Sequence, residues 1–416
     1  MTGDIKVSVG LDLHKKFILG TVLWQTGQMI QERFDRTKEG LFSLKAWATG
    51  HHADVVACES TSDYWVQIYD LLNGIIPVIV GNAHDIKVLS HKKTDKIDSL
   101  IIARLALHEM IQPSRVFAQK HREFRKLVRL RHSLVQKRTD IKNQIHHILD
   151  SELLQLSSAM SDIFGVTGMH LLQGLVDGAP LDVLLQKLPP RIRKHEEEIR
   201  SVLSDTLSKD ALFRLDCCLR LIRCLDEQID VITESATAYA YEHHSRQMEI
   251  LLSVPGIGKI GALTLLAEIG DVRDFSSAEK LASWVGVVPN VAQSADKLHT
   301  GPITKRGSVH VRWILTEIAH ATARSRTSGL KSFFDRKKKV LGTGKAIIAL
   351  ARKIISLVWH LLVHDELYSD PQFPPKHTQN FVSVKVPKSL TLDELLQILV
   401  EADVYLKKKD PDIMNP

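Results

Sequence analysis

The chain has 416 residues, of which 44% are hydrophobic and 25% are charged, and its formal net charge at pH 7 is +7. This ordinary globular composition excludes a mostly disordered or collagen-like chain, and the length predicts two or three domains. The basic excess is small, so it indicates a polyanionic partner only where the charge is concentrated. The four cysteines form no CxxC pair and no zinc-ligand spacing, which favours a reduced, cytoplasmic compartment.

The first hundred residues have the pattern of a mixed α/β domain. Five segments have the alternating or continuous apolar pattern of strands: Ile5–Leu11, Phe17–Trp24, Met29–Phe34, Asp54–Glu59 and Ile75–Val80. Helical spacing separates the third strand from the fourth and the fourth from the fifth, and another helix is predicted to begin near Lys96. The order of three strands, helix, strand, helix, strand and helix fits the ribonuclease H architecture, in which helices pack on a mixed sheet.

The middle of the chain, from about Lys120 to Glu249, is predicted to be helical, after a boundary near Pro113. Its apolar residues recur at spacings of three, four and seven: Leu127, Leu130, Leu134, Ile141, Ile145 and Ile148. This amphipathic stripe is long enough for a coiled coil or a helical hairpin. A second long helix, from about Asp210 to Glu242, could lie antiparallel to the first.

The rest of the sequence, from about Leu251, is predicted to form a small, mainly helical domain. It contains, in order, a turn, a loop and two longer helices: Pro255–Gly258, Val288–Thr304, Ser308–Arg324 and Lys345–Val363. Arg352, Lys353 and His360 interrupt the last helix, which therefore lacks the roughly 18 uninterrupted apolar residues that a membrane span needs, so we expect a soluble protein. The tail after Ser369 is rich in Pro and Lys and has one short amphipathic stretch, Leu392–Leu399.

Four carboxylates occupy the first strand, the end of the fourth strand and the beginning of the third helix: Asp12, Glu59, Asp95 and Asp98. The last two are three residues apart, which puts them on one face of a helix. If the two strands pair at the centre of the sheet, all four carboxylates converge at one edge. Oxygen ligands of this kind suit Mg²⁺, and a pair of such ions assists phosphoryl transfer. Each acid alone is more simply a helix cap or a surface charge, so the prediction depends on the set.

A polar segment of the third region contains a candidate nucleophile, Ser294. Most loop serines only bond the backbone, and no Ser-His-Asp spacing lies nearby, so the residue pattern alone leaves that simpler interpretation open. Lys305-Arg306-Gly307 follows, with Arg312 one turn into the next helix. Such a loop could cradle a phosphate, and a solvated basic loop is the alternative.

Positive charge is concentrated in two zones. Between Lys297 and Lys339 eleven Lys and Arg residues stand against two acids, which gives a local charge of +9. Between His121 and Leu149 eight stand against two, which gives +6. Two separated basic zones indicate an extended nucleic-acid footprint, and a solvated helix face is the alternative for the second zone.

The turn that contains Gly256 and Gly258 is similar to a helix-hairpin-helix turn. Its glycines would let backbone amides approach a phosphate, and the N-terminus of the following helix favours an anion. A plain tight turn between two packed helices is the alternative interpretation of the same residues.

Together these residues resemble the IS one-ten group of insertion-sequence transposases, which includes the pilin-gene invertase. The resemblance reaches to about Tyr368. It implies four segments: a RuvC-like catalytic domain (1–115), a helical coiled-coil linker for dimerisation (116–248), a C-terminal transposase domain (249–368) and a tail of unknown role (369–416). The Asp-Glu-Asp-Asp tetrad of the family maps to Asp12, Glu59, Asp95 and Asp98. Its later elements map to Gln293-Ser294 and Lys305-Arg306-Gly307, whereas Ala295-Asp296 replaces the glycines that often follow the serine.

The resemblance implies a DNA transposase that cuts and rejoins strands through a covalent link between Ser294 and a DNA phosphate. Mg²⁺ bound by the tetrad would assist the reaction, and Lys305, Arg306 and Arg312 would neutralise phosphate charge. The resemblance also implies homodimers that assemble to tetramers, in which domains of different subunits complete each site. A structured noncoding guide RNA would pair with the donor and target DNA.

Two other functions fit parts of the same pattern. A RuvC-like, metal-dependent nuclease such as a junction resolvase would cleave with the tetrad and water alone, and Ser294 would be incidental. A nucleic-acid-binding protein with a decayed site would retain the basic zones, but intact carboxylates at all four positions argue against it.

Overall fold

The computed structural model covers most of the chain, which divides into two compact units. The described residues are 5–60, 62–82, 86, 95–203, 207–294, 297–305, 307–325 and 328–370, with the backbone alone for 95–97, 291–294 and 297–300. The first unit is Met1–Lys126 and the second is Leu127–Pro416. The predicted amphipathic stretch Leu392–Leu399 lies outside the described residues.

The first unit contains a five-stranded mixed sheet. Its strands are β1 (Val7–Leu13), β2 (Phe17–Trp24), β3 (Met29–Asp35), β4 (Val55–Glu59) and β5 (Val78–Gly81). Their order across the sheet is β3-β2-β1-β4-β5, with antiparallel pairing among the first three and parallel pairing of β1 with β4 and of β4 with β5. Parallel neighbours need crossover connections, and the helices α1 (Lys38–Gly50) and α2 (Tyr64–Leu72) lie in these connections. The predicted order of elements is confirmed.

Each face of the sheet has its own apolar core, because side chains alternate along a strand. The odd-numbered residues of β1 pack with α1 and α2. The opposite face, which includes Val55 and Ala57 of β4, packs against helix α3 (Asp95–Leu107). Ser8, an even-numbered residue of β1, donates its hydroxyl hydrogen to the Ala103 carbonyl of α3 at 2.8 Å.

The second unit is mainly helical. Its elements in chain order are α4 (Gln119–Ser151), which begins in the first unit, α5 (Leu156–Ala159), α6 (Val166–Val176), α7 (Leu181–Gln186), α8 (Pro190–Arg193), α9 (Glu196–Val202), α10 (Lys209–Ser253), α11 (Lys259–Ile269), α12 (Ala278–Val285), β6 (Pro289–Ser294), β7 (Lys297–Ile303), α13 (Val309–Arg324) and α14 (Gly329–His364). Two helices contain a residue with non-helical backbone angles, His244 in α10 and Gly342 in α14. The short helices α5 to α9 contribute to one apolar core with parts of α4 and α10.

The two long helices α4 and α10 lie antiparallel. Arg131 of α4 donates from Nε to Thr233 Oγ1 of α10 at 2.7 Å. Arg138, two turns further along α4, pairs with Asp226, two turns earlier in α10. Because the partner numbers fall as those of α4 rise, the helices run in opposite directions, as the sequence allowed.

The segment Val288–Thr304 forms a β-hairpin, so its prediction as a loop is wrong. Strands β6 and β7 pair antiparallel from Pro289 with Ile303 to Ser294 with Lys297. Apolar residues are sparse in this segment, so it lacks the alternation by which a strand is identified in a sequence. The hairpin is defined by pairing between the backbones of the two strands, which does not require particular residue types.

Helix α14 is long and apolar enough to span a membrane, by length and composition alone. Its backbone leaves the helical region at Gly342, where φ is 76° and ψ is 168°. Apolar side chains after this point, including Ile347, Leu350 and Ile354, are buried within the second unit. A buried apolar helix of this kind is typical of a protein core.

Candidate functional site

Two of the four candidate carboxylates are neighbours at the carboxyl ends of parallel strands. The register pairs Leu11 of β1 with Cys58 of β4, and the next residue of each strand is Asp12 and Glu59, respectively. Leu11 and Cys58 belong to the core beneath α1 and α2, so alternation turns both carboxylates toward the α3 face. Both are half-buried.

Helix α3 lies directly against the middle of β1. A side chain at Gly10 would overlap the backbone of Ser99 and Ala103, so this close approach requires glycine. Ala103 also accepts the hydrogen bond from Ser8. Ser8 meets Ala103, whereas Gly10, further along β1, also meets Ser99, which comes earlier in α3. The helix therefore runs antiparallel to the strand, and its N-terminal end lies beside the carboxyl end of the strand.

That N-terminal end carries the other two carboxylates. Asp98 precedes the buried Ser99, whose hydroxyl is 2.8 Å from the hydroxyl of Thr21 on β2. Asp95 is the first residue of α3, one turn earlier, and only its backbone is described. The fold therefore brings the backbone positions of all four acids to one edge of the sheet.

A histidine that the sequence analysis missed contacts this edge. Nε2 of His14 is 2.9 Å from Oδ2 of Asp12, whose side chain is 20% exposed. His14 stacks on Phe17 with ring centroids 4.4 Å apart, and the Arg33 guanidinium lies 4.0 Å from the centroid of the Phe17 ring. The available signal was the spacing of two residues between Asp12 and His14, since His14 directly follows β1 and alternate residues of an extended chain share a face.

The thiol of Cys58 is adjacent to this edge but is not expected to react at neutral pH. Burial, followed by the charge of Glu59, raises the pKa of Cys58 to about 12. Such a thiol stays protonated at neutral pH, and the thiolate is the form that attacks electrophiles and binds metals. The carboxylates, rather than this thiol, therefore remain the candidate functional groups at this edge.

The donor atoms at the edge suit a hard divalent cation, because carboxylate oxygens are ligands that Mg²⁺ accepts. Among the side chains that the structure describes, no group of three or more His, Cys, Asp or Glu is close enough to hold an ion. The side chain of Asp95 is outside that set, and Asp12 contacts His14. The residue types and their common edge therefore fit a divalent cation. The described atoms alone do not form a complete metal-binding site.

In the second unit, the candidate nucleophile lies at the tip of the β-hairpin. Ser294 is the last residue of β6 and pairs with Lys297, the first residue of β7. Only Ala295 and Asp296 connect the strands. These two residues and the Ser294 side chain lie outside what the structure describes, so Ser294 is located by its backbone.

The segment after β7 is held against the end of α12 by backbone hydrogen bonds. The Thr304 amide donates to the Val288 carbonyl at 3.0 Å, and the Lys305 amide donates to the Gly286 carbonyl at 3.3 Å. Lys305 is exposed, with a positive φ of 53°. Arg306 lies outside the described residues. The exposed lysine is thus presented on an anchored backbone.

Gly307 and Arg312 complete this anchor. Gly307 has a φ of 82°, and a side chain there would overlap the Trp284 carbonyl oxygen, so the position requires glycine. Nη1 of Arg312 donates to the Gly307 carbonyl at 3.0 Å and to the Val285 carbonyl at 3.2 Å. Burial lowers the pKa of the Arg312 guanidinium. Arg312 therefore holds the backbone of the loop.

A buried carboxylate, also missed from the sequence, links three helices beneath the loop. Glu268 of α11 is fully buried, and Arg129 of α4 donates to its two oxygens at 2.6 and 3.0 Å. Ser308 donates its hydroxyl hydrogen to Oε2 of Glu268 at 2.8 Å and caps the N-terminus of α13. This network fixes the residue that directly follows the Lys305–Gly307 loop. Glu268 stands in an apolar helical sequence, which was the available signal.

The turn at Pro255–Gly258 packs against α13. The Ile257 amide donates to the Val254 carbonyl at 3.1 Å, and Gly256 has a φ of 91°, which are features of a type II turn. A side chain at Gly256 would overlap the Thr322 hydroxyl. Gly258, in contrast, faces open space and precedes the first residue of α11. Gly256 thus serves packing, and Gly258 leaves the helix terminus accessible.

The sequence matches two families of known proteins in separate segments. Residues 9–153 match the DEDD transposase family named after IS110. Residues 248–335 match the family described as "Transposase IS116/IS110/IS902 family". The two segments together cover more than half of the chain.

Individual relatives are also named as transposases or as a pilin gene-inverting protein. A transposase for insertion sequence element IS1111A from Coxiella burnetii is 23% identical over 88% of this chain and 92% of its own length. A probable family 20 transposase from Pseudomonas aeruginosa is 29% identical, over 31% of this chain and 39% of its length. A pilin gene-inverting protein from Moraxella bovis is 31% identical, over 28% of this chain and 37% of its length. The chain thus spans less than half of the last two relatives.

Proposed function

Because the chain belongs to the IS110/IS116/IS902 family of transposases, we propose that it excises and integrates an insertion sequence by site-specific DNA recombination. The observation that carries this proposal is the presence of both family segments, in this order, in one chain. The first segment contains all four carboxylates, and the second contains Ser294 and the Lys305–Gly307 loop. A junction resolvase would need only the first segment.

The first unit is proposed to have a RuvC-like, ribonuclease H-type fold. Its sheet order, with three antiparallel strands followed by two parallel ones and helices on both faces, supports this assignment. In functional terms, residues 1–115 form the catalytic domain, 116–248 the helical linker and 249–368 the C-terminal transposase domain. The antiparallel pair of α4 and α10 is the element through which subunits dimerise, as a coiled coil.

Ser294 acts as the nucleophile in this proposal. Its hydroxyl oxygen bonds to a DNA phosphorus while a bond from that phosphorus to a deoxyribose oxygen breaks. The serine loses its proton, and the departing oxygen gains one. The phosphoserine ester retains the energy of the broken bond, so attack by a deoxyribose hydroxyl of another strand reverses the step and joins DNA without a high-energy cofactor.

Asp12, Glu59, Asp95 and Asp98 would hold Mg²⁺, which when bound neutralises phosphate charge and polarises a phosphoryl oxygen. The chain's own contribution is to position these ligands. The close contact of Gly10 with Ser99 and Ala103 supports this role, because it holds the N-terminal end of α3 near the carboxyl end of β1. His14 holds the Asp12 carboxylate at the edge through the contact of 2.9 Å.

The basic residues of the C-terminal domain would bind DNA phosphates. Lys305 and Arg306 are proposed to make direct contacts, because Lys305 is exposed on an anchored loop. Arg312 acts through the loop carbonyls that it holds. Gly258, at the open N-terminus of α11, provides a second phosphate contact, and Gly256 supports it by packing.

The complete reaction is proposed to need several subunits and an RNA. Dimers assemble to tetramers, and the tetrad of one subunit and Ser294 of another complete each site. A structured noncoding RNA from the element binds the basic zone of α4 and pairs with the donor and target DNA. We expect the protein in the bacterial cytoplasm, where this DNA is accessible, with no membrane partner.

The test supplies the complete element, including its noncoding flanks, to cells together with wild-type or variant protein. Amplification across the joined ends measures excised circles. Ser294→Ala and Asp12→Asn should each abolish circles. Ser43→Ala and Glu39→Gln, on the exposed surface of α1, are matched controls and should retain them. If Ser294→Ala still forms circles, the serine mechanism is wrong and a reaction by the tetrad alone becomes the better account.

A further inference from the structure

The two halves of α14 fold back on each other and form a groove. Nζ of Lys353 is 5.0 Å from the ring centroid of Phe333, although Gly342 and its helical break lie between them. A cleft of about 570 Å³ and an adjoining cleft of about 450 Å³ share Phe333 and Arg336. We call the two clefts the α14 groove, defined by Phe333, Arg336, Lys337, Val340, Leu341 and Lys353.

The groove has an apolar floor and a basic rim. Val340 is 81% exposed and Leu341 is 41% exposed, which is unusual for neighbouring large apolar residues. The Lys337 ammonium lies 5.8 Å from the Phe333 ring centroid. Among the described residues, no carboxylate lies within ion-pair distance of Arg336, Lys337 or Lys353. The surface therefore fits an occupant that is apolar on one side and acidic on the other.

The last described residues of the chain line the larger of the two clefts. After α14 the backbone returns, and the Tyr368 amide donates to the Ser253 hydroxyl at 2.8 Å. The carboxylate of Asp370 then accepts from the Gly329 amide at 2.6 Å and from the Tyr368 hydroxyl at 3.0 Å. Tyr368 and Asp370 line the larger cleft. Residues 371–416 therefore begin next to the groove.

The sequence of the tail complements the groove in both polarity and charge. Apolar residues recur with the i, i+3, i+4, i+7 pattern that predicts one apolar helix face: Leu392, Leu395, Leu396 and Leu399. Thr391 and Glu394 have the spacing of a capping box at the start of such a helix. From Leu390 to Leu406 the sequence has four acids, Asp393, Glu394, Glu401 and Asp403, and no Lys or Arg.

We propose that the tail segment Leu390–Leu406 docks into the α14 groove of its own chain and competes there with nucleic acid. The leucines cover Phe333, Val340 and Leu341, and the acids meet the basic rim. The roughly twenty residues after Asp370 can extend about 65 Å, so the linker does not restrict the approach. Tethering to the rim of the groove raises the effective concentration of the segment to about millimolar, so weak contacts suffice.

Competition follows from charge. The run from Arg336 to Lys339 is exposed and basic, so it attracts polyanions. A docked acidic segment neutralises this surface and hinders DNA binding. Docking itself does not rest on the proposed function, since it depends only on the groove and the tail.

Hydrogen exchange of the full-length protein, followed by mass spectrometry, tests the docking. In wild type, amides of the tail segment should exchange at least about tenfold more slowly than in a variant with Leu395→Asp and Leu396→Asp. Val340→Asp, which changes an exposed groove residue, should remove the same protection. Val166→Asp is the matched control, because Val166 is 94% exposed on α6 and outside the groove.

Charge reversal distinguishes specific docking from nonspecific association of the tail. Asp393→Lys with Glu394→Lys should lose the protection, and adding Arg336→Glu with Lys337→Glu should restore it. Unprotected wild-type tail, or protection that survives Val340→Asp, would overturn docking. Protection that grows with protein concentration would assign the segment to a second copy and overturn docking within one chain. A short random-sequence DNA duplex should release the tail, and failure to release it would overturn the competition.

Discussion

The buried ion pair of Glu268 and Arg129 should be a main determinant of stability in the second unit. Arg129→Met removes two charge-assisted hydrogen bonds, of 2.6 and 3.0 Å, from a carboxylate that is fully buried. Removing one partner of a buried pair typically costs about 3–5 kcal/mol, because the remaining charge cannot regain its hydration. We therefore expect Arg129→Met to lower the free energy of unfolding by about 3 kcal/mol, since Ser308 still donates to Glu268.

The converse substitution, Glu268→Gln, should lower the free energy of unfolding by a smaller amount. The side chain of Arg129 is 40% exposed, so its guanidinium can be rehydrated when Glu268 becomes Gln. We expect about 1–2 kcal/mol for Glu268→Gln. Replacing both residues by Met should recover much of the loss, as apolar replacements of buried pairs often do.

Urea unfolding followed by circular dichroism measures these differences. Arg220→Met is the matched control, because Arg220 forms a surface pair with Asp216 on α10 and is 62% exposed. Exposed pairs contribute about 0–1 kcal/mol. Two results would contradict this role of the buried pair: a loss of stability in Arg129→Met no larger than that in Arg220→Met, or a double Met variant that is less stable than Arg129→Met alone.

Three further predictions concern single residues. Gly307→Ala should abolish circle formation and lower the melting temperature, because its φ is 82° and a methyl would overlap the Trp284 carbonyl; Gly344→Ala, with open space around it, should do neither. Iodoacetamide should label the exposed Cys224 and leave Cys58 unmodified up to pH 9, since burial raises the pKa of Cys58 to about 12. Burial and the bond to Asp370 raise the pKa of Tyr368 from 10.0 to about 12. Its raised pKa favours the neutral phenol in the fold, so stability should fall as pH rises from 10 toward 12, and less so in Tyr368→Phe, as measured by urea unfolding at each pH.

The strand and helix order of the first unit was predictable because its core has strong periodicity. Continuous or alternating apolar residues in β1, β2 and β4 identify strands, and each is buried as expected. The hairpin of Pro289–Ser294 and Lys297–Ile303 was not predictable, since backbone pairing rather than an apolar pattern defines it. The part of α14 before Gly342 was also missed: the predicted last helix begins at Lys345, because the charged run Arg336–Lys339 interrupts the apolar spacing of the residues before it.

For the candidate site, too, some features could be inferred from the sequence and others could not. The common edge of Asp12 and Glu59 could be inferred, because both residues end neighbouring buried strands. The contact of His14 with Asp12 is local, and the spacing of two residues could have indicated it. The network around Glu268 joins residues far apart in the sequence, so its partners depend on tertiary packing. Arg312 has the right charge for phosphate binding, but only the structure reveals that it bonds the carbonyls of Val285 and Gly307.

The most direct test of the central claim is to trap the link between protein and DNA. A nicked element-end duplex, labelled on one strand, is incubated with the protein, Mg²⁺ and the noncoding RNA, then denatured and separated by size. We predict a protease-sensitive covalent adduct that maps by mass spectrometry to Ser294, absent with Ser294→Ala and strongly reduced with Asp12→Asn. Cleaved DNA with no adduct, or an adduct that persists in Ser294→Ala, would contradict the account.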